Sequence, residues 1–191
     1  MRSFNRIAVY CGSSAAIDPV FMKAARQVGI FLAGKGITVV YGGGKVGTMG
    51  AVADGALSAG GNVIGVITEK LQSLEVGHNE LTELHIVQTM AERKGMMIEL
   101  ADAYIALPGG FGTLEEFTET ASLAVLNYHD KPTGLLNLNG FYDSFLAFID
   151  HAQAVGFIRP GQERSLVSSS TIGELYDSLM ACKIAAVAEW L

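Results

Sequence analysis

The chain has 191 residues, half of them hydrophobic and 17% charged, with a net charge of −6. That size and apolar content suit one domain with a real core, exclude a disordered chain, and are consistent with surface given up to an oligomer interface. A general nucleic-acid binder would carry a basic face, so that class is set aside, although backbone N–H groups and one or two cations can still hold a phosphate.

The N-terminal Met1-Arg2-Ser3-Phe4-Asn5-Arg6 enters a strand directly and lacks the apolar core of a signal peptide. Arg6 to Cys11 reads as the first strand, ending in Gly12-Ser13-Ser14. Pro19 to Lys35 reads as a helix, with Asp18 as N-cap, Pro19 at the first helical position and Gly36 at the C-terminal cap. Ile37 to Tyr41 is a continuous β-branched strand of the kind buried on both faces of a parallel sheet. A glycine loop, Gly42 to Gly47, leads into a helix over Thr48 to Ala59. Asn62 to Thr68 is a third strand, and residues 69 to 82 read as a loop without period. Glu83 to Val87 reads as a short strand and Met90 to Leu100 as a helix. Asp102 to Leu107 is a buried strand, followed by a glycine turn and a helix over Glu116 to Asn127. Thr133 to Leu138 is a strand, Phe141 to Val155 a helix, Leu166 to Ser169 a last strand and Ile172 to Ala188 a last helix.

Strands alternating with helices predict an α/β fold, a Rossmann-like doubly wound and mainly parallel sheet with helices on both faces. No linker divides residues 1–191, so a single domain is expected. No apolar run reaches the ~18 residues of a membrane span. Cys11 and Cys182 stand in no CxxC pattern and read as reduced thiols of a cytoplasmic protein; no Cys/His cluster has zinc spacing.

In such sheets ligands sit outside the carboxyl ends of the strands. That rule brings Gly12 and Ser13, the Gly42–Gly47 loop with Gly43 and Gly44, Thr68-Glu69, and Gly109–Thr113 to one edge. The richest stretch is Pro108-Gly109-Gly110-Phe111-Gly112-Thr113-Leu114-Glu115-Glu116. Glycines let backbone N–H groups approach a ligand, and a helix N-terminus favours a phosphate. The same residues also fit a purely structural turn in which Thr113 and Glu116 form a capping box.

Gly42, Gly44 and Gly47 match G-x-G-x-x-G, with the acidic Glu69 about 20 residues further on. They follow the second strand, however, whereas the dinucleotide fingerprint belongs to the first βα turn. Thr48 stands where a phosphate-binding Walker loop needs lysine. Arg93 lies on or beside the apolar stripe of Met90, Met97 and Leu100, a costly place for a charge that has no partner or anionic ligand. Lys94 beside it reads as a surface cation. No serine occupies a nucleophile elbow, and His129-Asp130-Lys131-Pro132 reads as turn chemistry.

Taken together, Tyr41 to Gly50, Met90-Ala91-Glu92-Arg93-Lys94 and Pro108 to Glu116 resemble the LOG ("lonely guy") family, and the resemblance covers nearly the whole chain. These are cytokinin riboside 5′-monophosphate phosphoribohydrolases, long mislabelled as lysine decarboxylases. The resemblance implies a homodimer with the active site near the interface, acting on a small-molecule nucleotide without metal, PLP or nicotinamide. Its essential pair falls on Arg93 and Glu116. Its nucleotide contacts fall on Glu75, Arg93, Lys94 and the run Gly109, Gly110, Phe111, Gly112, Thr113, Leu114 and Glu115. Ser122, where a threonine is frequent, joins the substrate-binding candidates; Thr48 and Ala91 are further departures. A rival reading is a nucleotide or molybdenum-cofactor carrier that shares the sheet and glycine loops without hydrolysis.

Overall fold

The computed structural model describes residues 2–75, 77–159, 161–162 and 166–183. Seven short apolar runs form one sheet. They are β1 (Arg6–Tyr10), β2 (Thr38–Tyr41), β3 (Val63–Thr68), β4 (Glu83–Val87), β5 (Ala103–Ala106), β6 (Thr133–Leu136) and β7 (Leu166–Ser169). Every pairing is parallel, in the spatial order β4-β3-β2-β1-β5-β6-β7. The register sets Ala8 beside Val40 on one side and Tyr104 on the other.

The connecting helices are α1 (Pro19–Gly34), α2 (Gly47–Ser58), α3 (Glu69–Glu75), α4 (Met90–Leu100), α5 (Phe111–Val125), α6 (Asp143–Ala154) and α7 (Ile172–Ala181). Side chains alternate across the sheet. Ile7, Val9, Val39 and Ile105 meet α1, α2 and α7 through Leu32, Val52 and Leu179. Ala8, Tyr10, Val40 and Tyr104 meet α4 and α5 through Met97 and Phe117, with Phe145 of α6 against them. The fold is therefore the expected doubly wound α/β sheet, covered on both faces. Asp18 caps α1 by accepting the Val20 N–H at 2.9 Å, and Gly36 takes a φ of +72° after its end.

Three expectations change. Part of the 69–82 stretch is not a loop, because Glu69–Glu75 continues β3 directly into a short helix. α5 begins at Phe111, five residues before the expected Glu116. α7 ends at Ala181, where Cys182 turns to extended backbone, and residues 184–188 lie outside the described residues.

The chain steps outward from β1 to β4, then returns to lay β5 on the other side of β1. Connections on either side of that switch point diverge. They leave a crevice over the carboxyl ends of β1 and β5.

Candidate active site

One wall of the crevice is the turn after β5. Leu107 donates its N–H to the Tyr10 carbonyl at 2.9 Å, and its own carbonyl accepts the buried Tyr142 hydroxyl at 2.6 Å. The strand end is thus fixed from both sides. Gly110 is the N-cap of α5 in extended backbone and offers no side-chain cap. The first ladder bond runs from the Leu114 N–H to the Gly110 carbonyl at 3.1 Å, so the N–H groups of Phe111, Gly112 and Thr113 have no acceptor among the described residues. Thr113 is 3% exposed, and its hydroxyl is buried without a partner. A Cβ on Gly109 would lie 2.2 Å from that hydroxyl, which explains the glycine there.

The capping box expected of Thr113 and Glu116 does not form. Because α5 starts at Phe111, both residues already lie inside the helix. A capping box stands instead at the start of α4. Thr89 accepts the Glu92 N–H at 3.1 Å, and Glu92 accepts the Thr89 N–H at 3.3 Å.

That cap aims the first turn of α4 at the sheet. Arg93, 4% exposed, donates Nε–H to the Val66 carbonyl at 2.9 Å and Nη2–H to the Gly42 carbonyl at 3.0 Å. Its Nη1 lies 3.5 Å from Oε1 of Glu116, which is 6% exposed. A Cβ on residue 42 would lie 1.9 Å from Arg93 Nη2, so only glycine admits the guanidinium. The guanidinium is therefore held by a carbonyl within β3 and by the Gly42 carbonyl just past β2, and is turned toward a carboxylate. Burial pushes the Glu116 carboxyl up to about 7, with Arg93 opposing the rise and Glu115 adding to it. Such a group exchanges protons near neutral pH.

Arg93 and Glu116 lie at the bottom of a cavity of about 270 Å³. Gly12, Ser13 and Ser14 line it on the β1 side, and Gly110, Gly112, Thr113 and Glu115 on the β5 side. Cys11, Met49 and Met90 supply apolar surface beyond the residues expected to bind substrate. Met49 lies two residues past the glycine loop, and that proximity was the signal for it. The buried Cys11 thiol, raised far above its ordinary value by burial and then by Glu116, stays protonated.

Other candidates lie elsewhere. Lys94 reaches Glu115 and, at 3.1 Å, Glu119, so its ammonium ties α4 to α5 at the rim. Phe111 stands 94% exposed at the start of α5. Leu114 packs into the core beneath α5 and does not face the crevice. Gly43 and Gly44 turn toward the chain after α3: the Gly43 carbonyl accepts the His78 N–H at 3.2 Å, and Gly44 bridges to Gly77. Ser122 lines a separate groove of about 260 Å³ between α5 and α6, whose walls carry no charged side chain among the described residues. Glu75 closes α3, but its side chain lies outside the described residues. In the His129-Asp130-Lys131 run, Lys131 donates to the Ile98 and Glu99 carbonyls at the end of α4, in keeping with a structural role.

A family model described as "Possible lysine decarboxylase" matches residues 49–179. The cytokinin riboside 5′-monophosphate phosphoribohydrolase LOG of Oryza sativa subsp. japonica is 47% identical over 172 residues, covering 90% of this chain and 71% of that protein. A cytokinin riboside 5′-monophosphate phosphoribohydrolase of Arabidopsis thaliana is 44% identical over 176 residues, covering 92% and 83%. Among solved structures, the molybdenum cofactor carrier protein of Chlamydomonas reinhardtii superposes with a TM-score of 0.67 at 20% identity, over 92% of this chain and 98% of that one. The molybdenum cofactor binding protein of Rippkaea orientalis gives 0.67 at 24%, over 94% and 99%. These two share the fold.

Proposed function

This chain belongs to the LOG family of cytokinin riboside 5′-monophosphate phosphoribohydrolases, and from that premise we propose that it hydrolyses the N-glycosidic bond of purine riboside 5′-monophosphates. Free base and ribose 5-phosphate are the products, and residues 1–191 act as one nucleotide-hydrolase domain. The observation that carries the reading is a buried, paired carboxylate one helical turn from an N-terminus with three free N–H groups.

The 5′-phosphate sits on the N–H groups of Phe111, Gly112 and Thr113 and on the Thr113 hydroxyl, which supplies the buried oxygen with its missing partner. Binding energy from the phosphate then positions the ribose over Glu116. As the base leaves, C1′ gains oxocarbenium character, which an adjacent carboxylate stabilises. Glu116 accepts a proton from the attacking water while the water oxygen bonds C1′ and the C1′–N bond breaks; a proton is returned to the departing base. Arg93 holds Glu116 in place and is not the phosphate ligand, since its Nε and Nη2 are already bound to backbone carbonyls. The scheme uses groups of the chain alone and calls for no metal, PLP or nicotinamide.

The protein works as a homodimer. Support for this is the apolar groove between α5 and α6, together with the exposed Phe148 of α6 and Leu126 at the end of α5. The compartment proposed for it is the cytoplasm, in keeping with Cys11 and Cys182 standing in no CxxC pattern. Among the described residues no helix is long and apolar enough to cross a membrane.

The test is chromatographic. Purified protein is incubated with AMP, adenosine and isopentenyladenosine monophosphate. Release of base from the two monophosphates but not from adenosine is the expected result. Retention of all three intact, with nucleotide bound, would favour a carrier with the same sheet.

A further inference from the structure

The first turn of α2 lies against the turn that follows β1, and its contacts concentrate on one residue. Thr48, 2% exposed, accepts the Gly12 N–H at 2.9 Å and donates its hydroxyl to the Gly12 carbonyl at 3.0 Å. The Met49 N–H donates to the same carbonyl at 3.2 Å. Gly47, at a φ of +68°, brings the two backbones together; a Cβ there would lie 2.7 Å from the carbonyl oxygens of Gly12 and Ser14. Both polar groups of Gly12 are thereby consumed within the protein. Gly12 cannot offer its N–H to a ligand, although it lines the crevice.

The next two residues differ. Ser13 is half-buried and Ser14 exposed, both line the crevice, and neither hydroxyl has a partner among the described residues. They stand across the cavity from the free N-terminus of α5. A hydroxyl that grips both ends of one peptide residue fixes where the following residues emerge. Valine has the same shape and cannot do this.

We infer that Thr48 is a positioning residue: by clamping Gly12 it holds the Ser13 and Ser14 hydroxyls where they hydrogen-bond the ribose 5-phosphate part of the substrate. This rests on the phosphoribohydrolase reading above. It predicts a loss in binding the sugar phosphate without a loss in bond cleavage, because the Thr48 hydroxyl bonds Gly12 and, among the described residues, no hydrogen bond or ion pair of Arg93 or Glu116 goes to it.

The experiment compares Thr48→Val, Thr48→Ser and the double variant Ser13→Ala/Ser14→Ala with the wild type. The readouts are kcat and KM for AMP and inhibition by ribose 5-phosphate and by adenine. Thr48→Val is expected to raise KM and the ribose 5-phosphate inhibition constant about tenfold. Its kcat and its adenine inhibition should stay within about twofold of wild type. Thr48→Ser should restore wild-type values, since it keeps the hydroxyl. The double serine variant should reproduce the tenfold rise, and adding Thr48→Val to it should add nothing further. That variant also carries the test if Thr48→Val does not fold. Wild-type turnover with an unchanged KM in Thr48→Val, or in the serine variant, overturns the inference and leaves the phosphoribohydrolase reading intact. A wild type that releases no base and binds no ribose 5-phosphate overturns both.

Discussion

Gly42–Gly47 and Pro108–Gly112 are both glycine turns that carry a parallel strand into a helix at the same edge of the sheet. In the first, the glycines serve contacts within the protein. Gly42 makes room for Arg93, Gly43 and Gly44 meet the segment after α3, and Gly47 presses on the β1 turn. The helix that follows gives its Met49 N–H to Gly12. In the second, Gly109 makes room for Thr113, while the N–H groups of residues 111–113 and the Thr113 hydroxyl are left without protein partners. Glycine content does not separate a ligand loop from a packing loop. What separates them is that the start of α2 gives its Met49 N–H to Gly12, whereas the start of α5 keeps three N–H groups and a buried hydroxyl without partners among the described residues.

The sharpest way to test that division is at the carboxylate beside the open loop. Glu116→Gln should lower base release from AMP by about 10²–10⁴-fold. In the wild type, kcat/KM should climb with pH through about 7 as Glu116 ionises and then level off. Stability should run the other way. The folded carboxyl lies at about 7, above the ordinary 4.5, so its contribution is fully present below pH 4.5 and lost as pH rises through 7. Denaturant titrations should therefore show Glu116→Gln gaining on wild type by about 3 kcal/mol between pH 4.5 and pH 8, at 1.36 kcal/mol per unit.

Gly42→Ala breaks the closed loop. The new Cβ displaces Arg93, separates it from the Gly42 carbonyl and leaves Glu116 buried without its partner. A loss of about 3–5 kcal/mol in folding free energy is expected, measured by urea unfolding, together with loss of turnover. Thr113→Val probes the open loop more gently. It removes a buried hydroxyl that has no protein partner, so thermal stability should hold or rise. KM for AMP should rise about tenfold, equivalent to 1.4 kcal/mol. The smallest effect is expected of Gly112→Ala. A Cβ there meets nothing within 4 Å, and unfolding should shift by no more than about 0.5 kcal/mol. A large destabilisation at Gly112, or none at Gly42, would dissolve the contrast between the loops.

Much of this molecule was legible in its residues. Apolar runs of strand length alternating with helical patterns, Asp18 with Pro19 at a helix start and Gly36 at its end are local signals. They fixed the element order and, through the carboxyl-edge rule, the side of the sheet that carries the site. The unusual setting of Arg93 was visible as a charge beside an apolar stripe. What the sequence could not supply is the identity of partners far apart along the chain. Arg93 meets Val66 and Gly42, which precede it by 27 and 51 residues, and Thr48 meets Gly12 across 36. Likewise Thr113 looked like a helix cap because its spacing to Glu116 fits one, until the helix was found to start at Phe111. Leu114 and Ser122 share a helix with Glu116, yet one faces the core and the other the α5/α6 groove, because rotation about the helix axis is set by what packs against it. Local pattern determines which backbone groups need partners, and only the tertiary packing decides which of them still lack one at the crevice.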